Sequence, residues 1–199
     1  MSERIDFTTD IMIDLETLGT GPGSAILSIG AVAFDLDGDG PIGGTSPSIY
    51  RNVELGDKNV VVDNGAFRWW LMQSDEARAK LCADPVDPLG VVLRDLNNWF
   101  RWWGRHCDAD GIPDGFDHFR IWSHGENFDI PLLEAGYVRC GMKAPWRYNA
   151  TRDTRTLFHT LGIRWDSWFE EMNEGVEHDA LADALTQVRM VQRAWGMRP

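Results

Sequence analysis

Five residues in three short clusters have the types needed to work on a phosphate ester. Asp14 and Glu16 flank Leu15 in an apolar run near the N-terminus, Asp129 follows Asn127 and Phe128, and His178 stands five positions before Asp183 near the C-terminal end. Four carboxylates can hold two divalent cations, and an imidazole can take a proton from a water beside a phosphodiester. Each cluster also has an ordinary reading. A D-x-E pair arises easily by chance, an Asp before a helix is commonly its cap, and a lone His at a helix start is commonly a surface residue.

Spacing sharpens the first and last clusters. In a strand, residues two apart point to the same side, so Asp14 and Glu16 share one face while Ile13 and Leu15 enter the opposite layer. Two carboxylates about 4 Å apart repel by roughly 4 kcal/mol at an effective dielectric of 20, which asks for a cation between them. On one continuous helix His178 and Asp183 would lie about 140° apart. The conflict disappears if Asp179 is the N-cap, with His178 on the incoming loop and Asp183 on the second helical turn. Asp129 precedes Pro131, a residue suited to a first helical turn, and the helix dipole should keep its carboxylate ionised. It also follows a strand, and open sheets bind ligands at such carboxyl ends.

The elements that must position these side chains follow from periodicity. Residues 10–17 read as a buried strand, Gly19 to Gly23 as a turn, and Ala25 to Phe34 as a second strand closing a hairpin. A third strand around Ile49 to Val53 completes the meander. Asp35 to Gly40 matches half of an EF-hand loop, but Ser46 replaces the bidentate acid and a solvated turn is expected. Ala66 to Leu71 reads as a short helix whose adjacent Trp69 and Trp70 point about 100° apart, one to the core and one to a groove. Leu89, Val92, Leu93, Leu96, Trp99, Phe100 and Trp103 mark the buried face of a helix from Pro88 to Trp103, its tryptophans read as core rather than as a base-stacking platform. Gly104 to Asp117 reads as a loop, Phe119 to Ser123 as a strand, and Pro131 to Cys140 as a helix stopped by Gly141. Two more helices are expected, Asp153 to Leu161 and Asp179 to about Trp195. Strands first and strand-helix units afterwards suit an α/β fold with a mixed central sheet flanked by helices, and 1–199 reads as a single domain.

The chain has 199 residues, 43% hydrophobic and 25% charged, with a net charge of −12. That composition excludes large-scale disorder, and no apolar run reaches the roughly 18 residues of a membrane span. An acidic start without an apolar stretch argues against export. Cys82, Cys107 and Cys140 are odd in number and lack C-x-x-C spacing, which suits a reducing cytoplasm. The acidity disfavours a wide basic groove for nucleic acid. It leaves room for a local grip on one strand end through bound cations.

Taken together, Asp14-Leu15-Glu16, Asn127-Phe128-Asp129 and His178 with Asp183 resemble the DEDDh 3′-to-5′ exonucleases of the RNase H-like, DnaQ-like superfamily. The sister DEDDy pattern would place a Tyr at position 179, where this chain has Asp179. Leu15 to Thr20, Ile26 to Val32, Trp69 to Ser74 and Arg152 to Leu157 resemble the phage-type branch, which includes an actinobacterial exoribonuclease. Residues 104–117 and 165–175 match least. The resemblance implies a bacterial cell or a phage-infected host as the setting.

The resemblance implies an RNase H-like fold and hydrolysis from the 3′ end of single-stranded DNA or RNA, releasing nucleoside 5′-monophosphates. By it, Asp14, Glu16 and Asp183 would bind one Mg2+ or Mn2+, Asp14 would bridge to a second, and Asp129 would hold that second ion through water. His178 would be the general base, its ordinary pKa near 6.5 suiting neutral pH. Thr17, Leu18 and Gly19 would receive the terminal nucleotide, Leu18 against the base, with Asn127 and Phe128 as the other wall; for Leu18 and Phe128 core packing is the alternative. His106, His118, His124 and His159 match no motif position. An RNase H-like endonuclease and a catalytically silent binding module are the competing readings, separable by circular substrates and by manganese-dependent hydrolysis. Relatives in this branch can dimerise, so a homodimer stays open, as does DNA against RNA.

Overall fold

The computed structural model describes residues 9–42, 47–56, 59–83, 85–106 and 119–198. Near-continuous apolar runs make β1 (Thr9–Thr17) and β2 (Ile26–Phe34) strands that are buried on both faces, paired antiparallel with Asp14 opposite Gly30. β3 (Ser48–Val53) adds antiparallel to β2 and completes the expected meander. α1 (Asn64–Leu71) and α2 (Asp75–Leu81) follow, then the two-residue β4 (Val86–Asp87) and α3 (Leu89–His106). β5 (Phe119–Ser123) joins β1 in parallel, α4 (Asp129–Arg139) follows, and β6 (Thr151–Asp153) pairs with β5 before α5 (Thr154–Thr160), α6 (Trp165–Met172) and α7 (Ala180–Gly196). The resulting mixed sheet has the order β4-β3-β2-β1-β5-β6.

Two apolar layers sandwich this sheet. Ile11, Ile13 and Leu15 of β1 meet Leu93, Leu96 and Phe100 of α3 and Leu132 and Leu133 of α4 on one face. Met12 and Val32 meet Val188 and Val191 of α7 on the other, together with Trp122 and Phe158. The alternation therefore sends Asp14 and Glu16 toward α7, as expected from strand geometry. The expected core face of α3 is buried in full, so Trp99 and Trp103 pack inside. α3 runs on to His106, three residues into the stretch read as loop. Positions 107–117 of that expected loop, Cys107 and His118 lie outside the described residues, as does Ser46.

Four elements were not expected. α2 buries only Ala77 and has no apolar stripe to read, although Ser74 caps it by accepting from the Ala77 amide at 3.1 Å. β4 and β6 are too short to alternate, and α6 has no fully buried residue. The turn at Asp35 to Gly40 is held by α7: Gln192 donates to the Asp35 and Gly40 carbonyls at 2.7 and 2.8 Å and accepts from the Gly40 amide at 2.7 Å. That account needs no cation in the loop.

α7 crosses the sheet at Gly30. A Cβ there would lie 2.3 Å from the Ala180 carbonyl oxygen and 2.6 Å from the Leu181 nitrogen. Glycine thus lets the start of α7 rest directly on β2, opposite the strand that carries Asp14.

Candidate active site

The ends of β1, β5 and α7 converge on a cleft of about 480 Å³ whose walls include Asp14, Glu16, Asp129, Asp183 and His178. β1 presents Asp14 and Glu16 beside a register shift between Glu16 and Thr17. Asp129 arrives from the other layer as the first residue of α4. Phe128 occupies the cap position, and Asp129 instead accepts from the Leu15 amide at 3.3 Å, which ties the carboxylate to the strand between Asp14 and Glu16. An ordinary capping role for Asp129 is thereby replaced by a link between elements.

The last cluster folds as its spacing required, with one adjustment. Asp179 caps α7, accepting from the Leu181 and Ala182 amides at 3.0 and 3.1 Å, and Lys80 lies 3.1 Å from its other oxygen. Asp183 donates its amide to the Asp179 carbonyl and so closes the first turn rather than entering the second. His178 sits just before the cap at φ 63°, a left-handed conformation costly for a residue with a Cβ. Its amide donates to Asp183 Oδ2 at 3.2 Å, which secures the turn. Trp69 meets the His178 ring edge-on at 4.7 Å, with Trp70 at 6.2 Å. Trp70 is buried and donates its indole N–H to the Thr17 carbonyl at 3.0 Å, while Trp69 is 44% exposed. The core half of the expected division holds for Trp70; Trp69 is not among the residues lining the cleft and instead contacts the imidazole from outside.

Burial and mutual repulsion dominate the electrostatics. Asp14 is raised well above the usual carboxyl range by burial and then by Asp129, Glu16 and Asp183, with a 2.7 Å hydrogen bond from Gln187 opposing. Burial also pushes Glu16 up to about 9, Asp129 to about 8 and Asp183 to about 7. The expectation that the α4 dipole keeps Asp129 ionised is therefore reversed: desolvation outweighs the amides of Leu15 and Asp129 and the nearby Arg155. Burial lowers His178 below 6.5, against a weaker upward pull from Glu177, so the ring is neutral at neutral pH.

This donor set fits divalent cations. Ligand atoms of Glu16, His178 and Asp183 lie within 4.8 Å of one another, and Asp183 Oδ1 is buried without a hydrogen-bond partner among the described residues. Oxygen-rich, converging and starved of donors, the site has the chemistry that hard cations complete.

The nucleotide-binding expectations divide. Phe128 lines the cleft, whereas Thr17, Leu18, Gly19 and Asn127 are not among its lining residues. Leu18 is 5% exposed and packs with Ala25, Leu27 and Trp70, the core alternative weighed for it. Its amide and carbonyl are engaged by Ala25 and Asp63, and Thr17 Oγ1 donates to the Gly19 carbonyl at 2.8 Å. Sequence reasoning missed Gln187, one turn beyond Asp183 on the same face, a spacing that could have exposed it. It also gave no role to His124, Arg155, Trp165 or Phe169, which line the same cleft.

No curated protein matches the chain significantly. Among solved structures, it resembles the zinc-bound E. coli exonuclease I complex with single-stranded DNA at a TM-score of 0.66 and 16% identity, covering 96% of this chain and 41% of that one. The chain thus spans about two fifths of that protein's length. The nuclease domain of 3′hExo, a DEDDh family member bound to rAMP, aligns at a TM-score of 0.55 and 13% identity over 97% and 93% of the two chains. The Mg2+- and Mn2+-bound form of S. pombe Pop2p aligns at 0.57 and 13% over 95% and 83%. At such identities the likeness is one of fold, the RNase H-like exonuclease fold. A family model matches residues 9–195, and the chain belongs to the 3′-5′ exoribonuclease Rv2179c-like domain family.

Proposed function

We propose that the chain is a divalent-cation-dependent exonuclease that releases nucleoside 5′-monophosphates from the 3′ end of a single strand, RNA before DNA. The observation that carries this is the convergence of Asp14, Glu16, Asp129, Asp183 and His178, from three separate clusters in the chain, on one cleft. The family description supports RNA. The −12 charge supports action at one strand end rather than along a wide basic groove.

Asp14, Glu16 and Asp183 would hold one cation, with Asp14 shared and Asp129 serving a second; Mg2+ or Mn2+ suits this oxygen-rich set. Bound there, such ions would supply positive charge to the scissile phosphate and to the oxygens that attack and leave it. The residues do the rest. Neutral His178 accepts the proton of the attacking water through its ring, and its backbone bond to Asp183 fixes it relative to the carboxylates. Gln187 holds Asp14 in place through its Oδ1. Phe128 closes one side of the cleft beside Asp129.

The test is incubation of matched 5′-labelled RNA and DNA single strands with magnesium or manganese, alongside Asp14→Ala. A descending ladder is expected with the wild type and none with the variant. A ladder that persists in Asp14→Ala would refute the site, and rapid cleavage of circular strands would refute the requirement for an end.

A further inference from the structure

Gripping a strand is a problem for this cleft. Asp166, Glu170 and Glu177 line it in addition to the four central carboxylates, and Arg155 is the single Arg or Lys among the described lining residues. Cations can neutralise the scissile phosphate, but they leave the remaining strand facing a negative wall. Its affinity has to come from contacts that do not depend on charge.

The cleft contains such a surface. His124, at the end of β5, stacks on Trp165 with ring centroids 3.4 Å apart and planes 22° apart, and Trp165 stacks on Phe169 at 5.0 Å and 28°. Three near-parallel rings form a column lining the cleft, with Phe158 behind it 5.9 Å from Trp165. Trp165 and Phe169 pack against the second core, yet neither is fully buried. The His124 ring is kept uncharged by burial and by Arg155, so the column presents neutral π-faces.

Position indicates which nucleotide it would meet. In an in-line displacement the leaving oxygen lies opposite the attacking water. His178 and its neighbours Glu16 and Asp183 mark the water's side. Asp129 lies toward Arg155, whose guanidinium rests against Gly125, 2.9 Å from where a Cβ would be, next to His124. The leaving oxygen belongs to the penultimate nucleotide of the strand.

Resting on the exonuclease reading for that polarity, we infer that the His124–Trp165–Phe169 column is a subsite for the penultimate nucleobase, with Arg155 receiving the phosphate beside it. A flat base extends the column irrespective of its identity, because every base has a π-face. The subsite therefore supplies grip without sequence preference.

The test measures binding and hydrolysis separately. Fluorescence anisotropy in calcium follows a 5′-labelled twelve-nucleotide RNA, intact or abasic at the penultimate position, with wild type, Trp165→Leu, Trp165→Phe and Arg155→Gln; ladders in manganese follow turnover. Trp165→Leu, which keeps apolar bulk but removes the central ring on which His124 and Phe169 both stack, should break up the column, weaken the intact strand about tenfold and leave the abasic strand unchanged. Trp165→Phe should stay within about threefold of wild type. Arg155→Gln should weaken both strands alike and flatten the slope of log Kd against log salt by about 0.7. Equal weakening of both strands by Trp165→Leu, or none, overturns the base subsite, as does Trp165→Phe behaving like Trp165→Leu. An unchanged salt slope removes Arg155 from it. Wild type that shows the binding pattern but releases nothing in manganese overturns the exonuclease reading and leaves the subsite standing.

Discussion

Replacing the imidazole of His178 tests whether the proposed proton transfer is separable from cation binding. His178→Ala should lower kcat by about 10²- to 10⁴-fold, the usual worth of a general base. Manganese binding by calorimetry should survive within a few-fold, because four carboxylates remain. Loss of binding would make His178 a ligand instead, a role its distance from Glu16 and Asp183 allows. The paired tryptophans offer a second contrast. Trp69→Ala removes a half-exposed ring and should reduce kcat with little change in melting temperature. Trp70→Ala removes a buried side chain and its hydrogen bond to Thr17, and should cost about 3 to 5 kcal/mol in chemical denaturation. Equal stability losses in the two variants would contradict this division.

At the scale of elements, the site depends on how closely α7 approaches the sheet. Gly30→Ala places a methyl against the Ala180 carbonyl, so α7 must shift and carry Asp183 and Gln187 away from Asp14. We expect at least a tenfold loss of kcat with circular dichroism still folded, whereas Gly21→Ala, which meets nothing within 4 Å among the described residues, should be silent. An active Gly30→Ala would show that the close approach is dispensable. The same dependence explains what could be read from sequence. Asp14 and Glu16 were legible because alternation on β1 assigns a face, and the His178–Asp183 geometry followed from a single cap at Asp179. Long elements with clean periods, such as α3, were legible too. α2 and α6 were not, because Ala77 alone is buried in one and no residue is in the other. The resemblance set Leu18 against a base with core packing as the alternative, and its core partners, Trp70 and Ala77, come from helices with no sequence mark of where they dock. Arg155 and Trp165 belong to the cleft through tertiary placement alone.

For the whole molecule, the raised carboxyls couple stability to pH and cations. Their folded values lie above the ordinary carboxyl range, so the stability they contribute is full below about pH 4 and declines as pH rises through about 7 for Asp183, 8 for Asp129 and 9 for Glu16. The melting temperature of cation-free protein should therefore fall from pH 6 to pH 9. Manganese should suppress that fall and bind more tightly as pH rises, since binding releases protons. A cation-free melting temperature that climbs over the same interval would contradict the electrostatic picture. The sheet's margins carry a different consequence. Its two outer strands are only two and three residues long, β4 and β6. Edges so short offer few unpaired amides to a second chain, which limits templated pairing along β4 and β6 themselves. Self-association through those edges would have little backbone to work with and would fall to side chains.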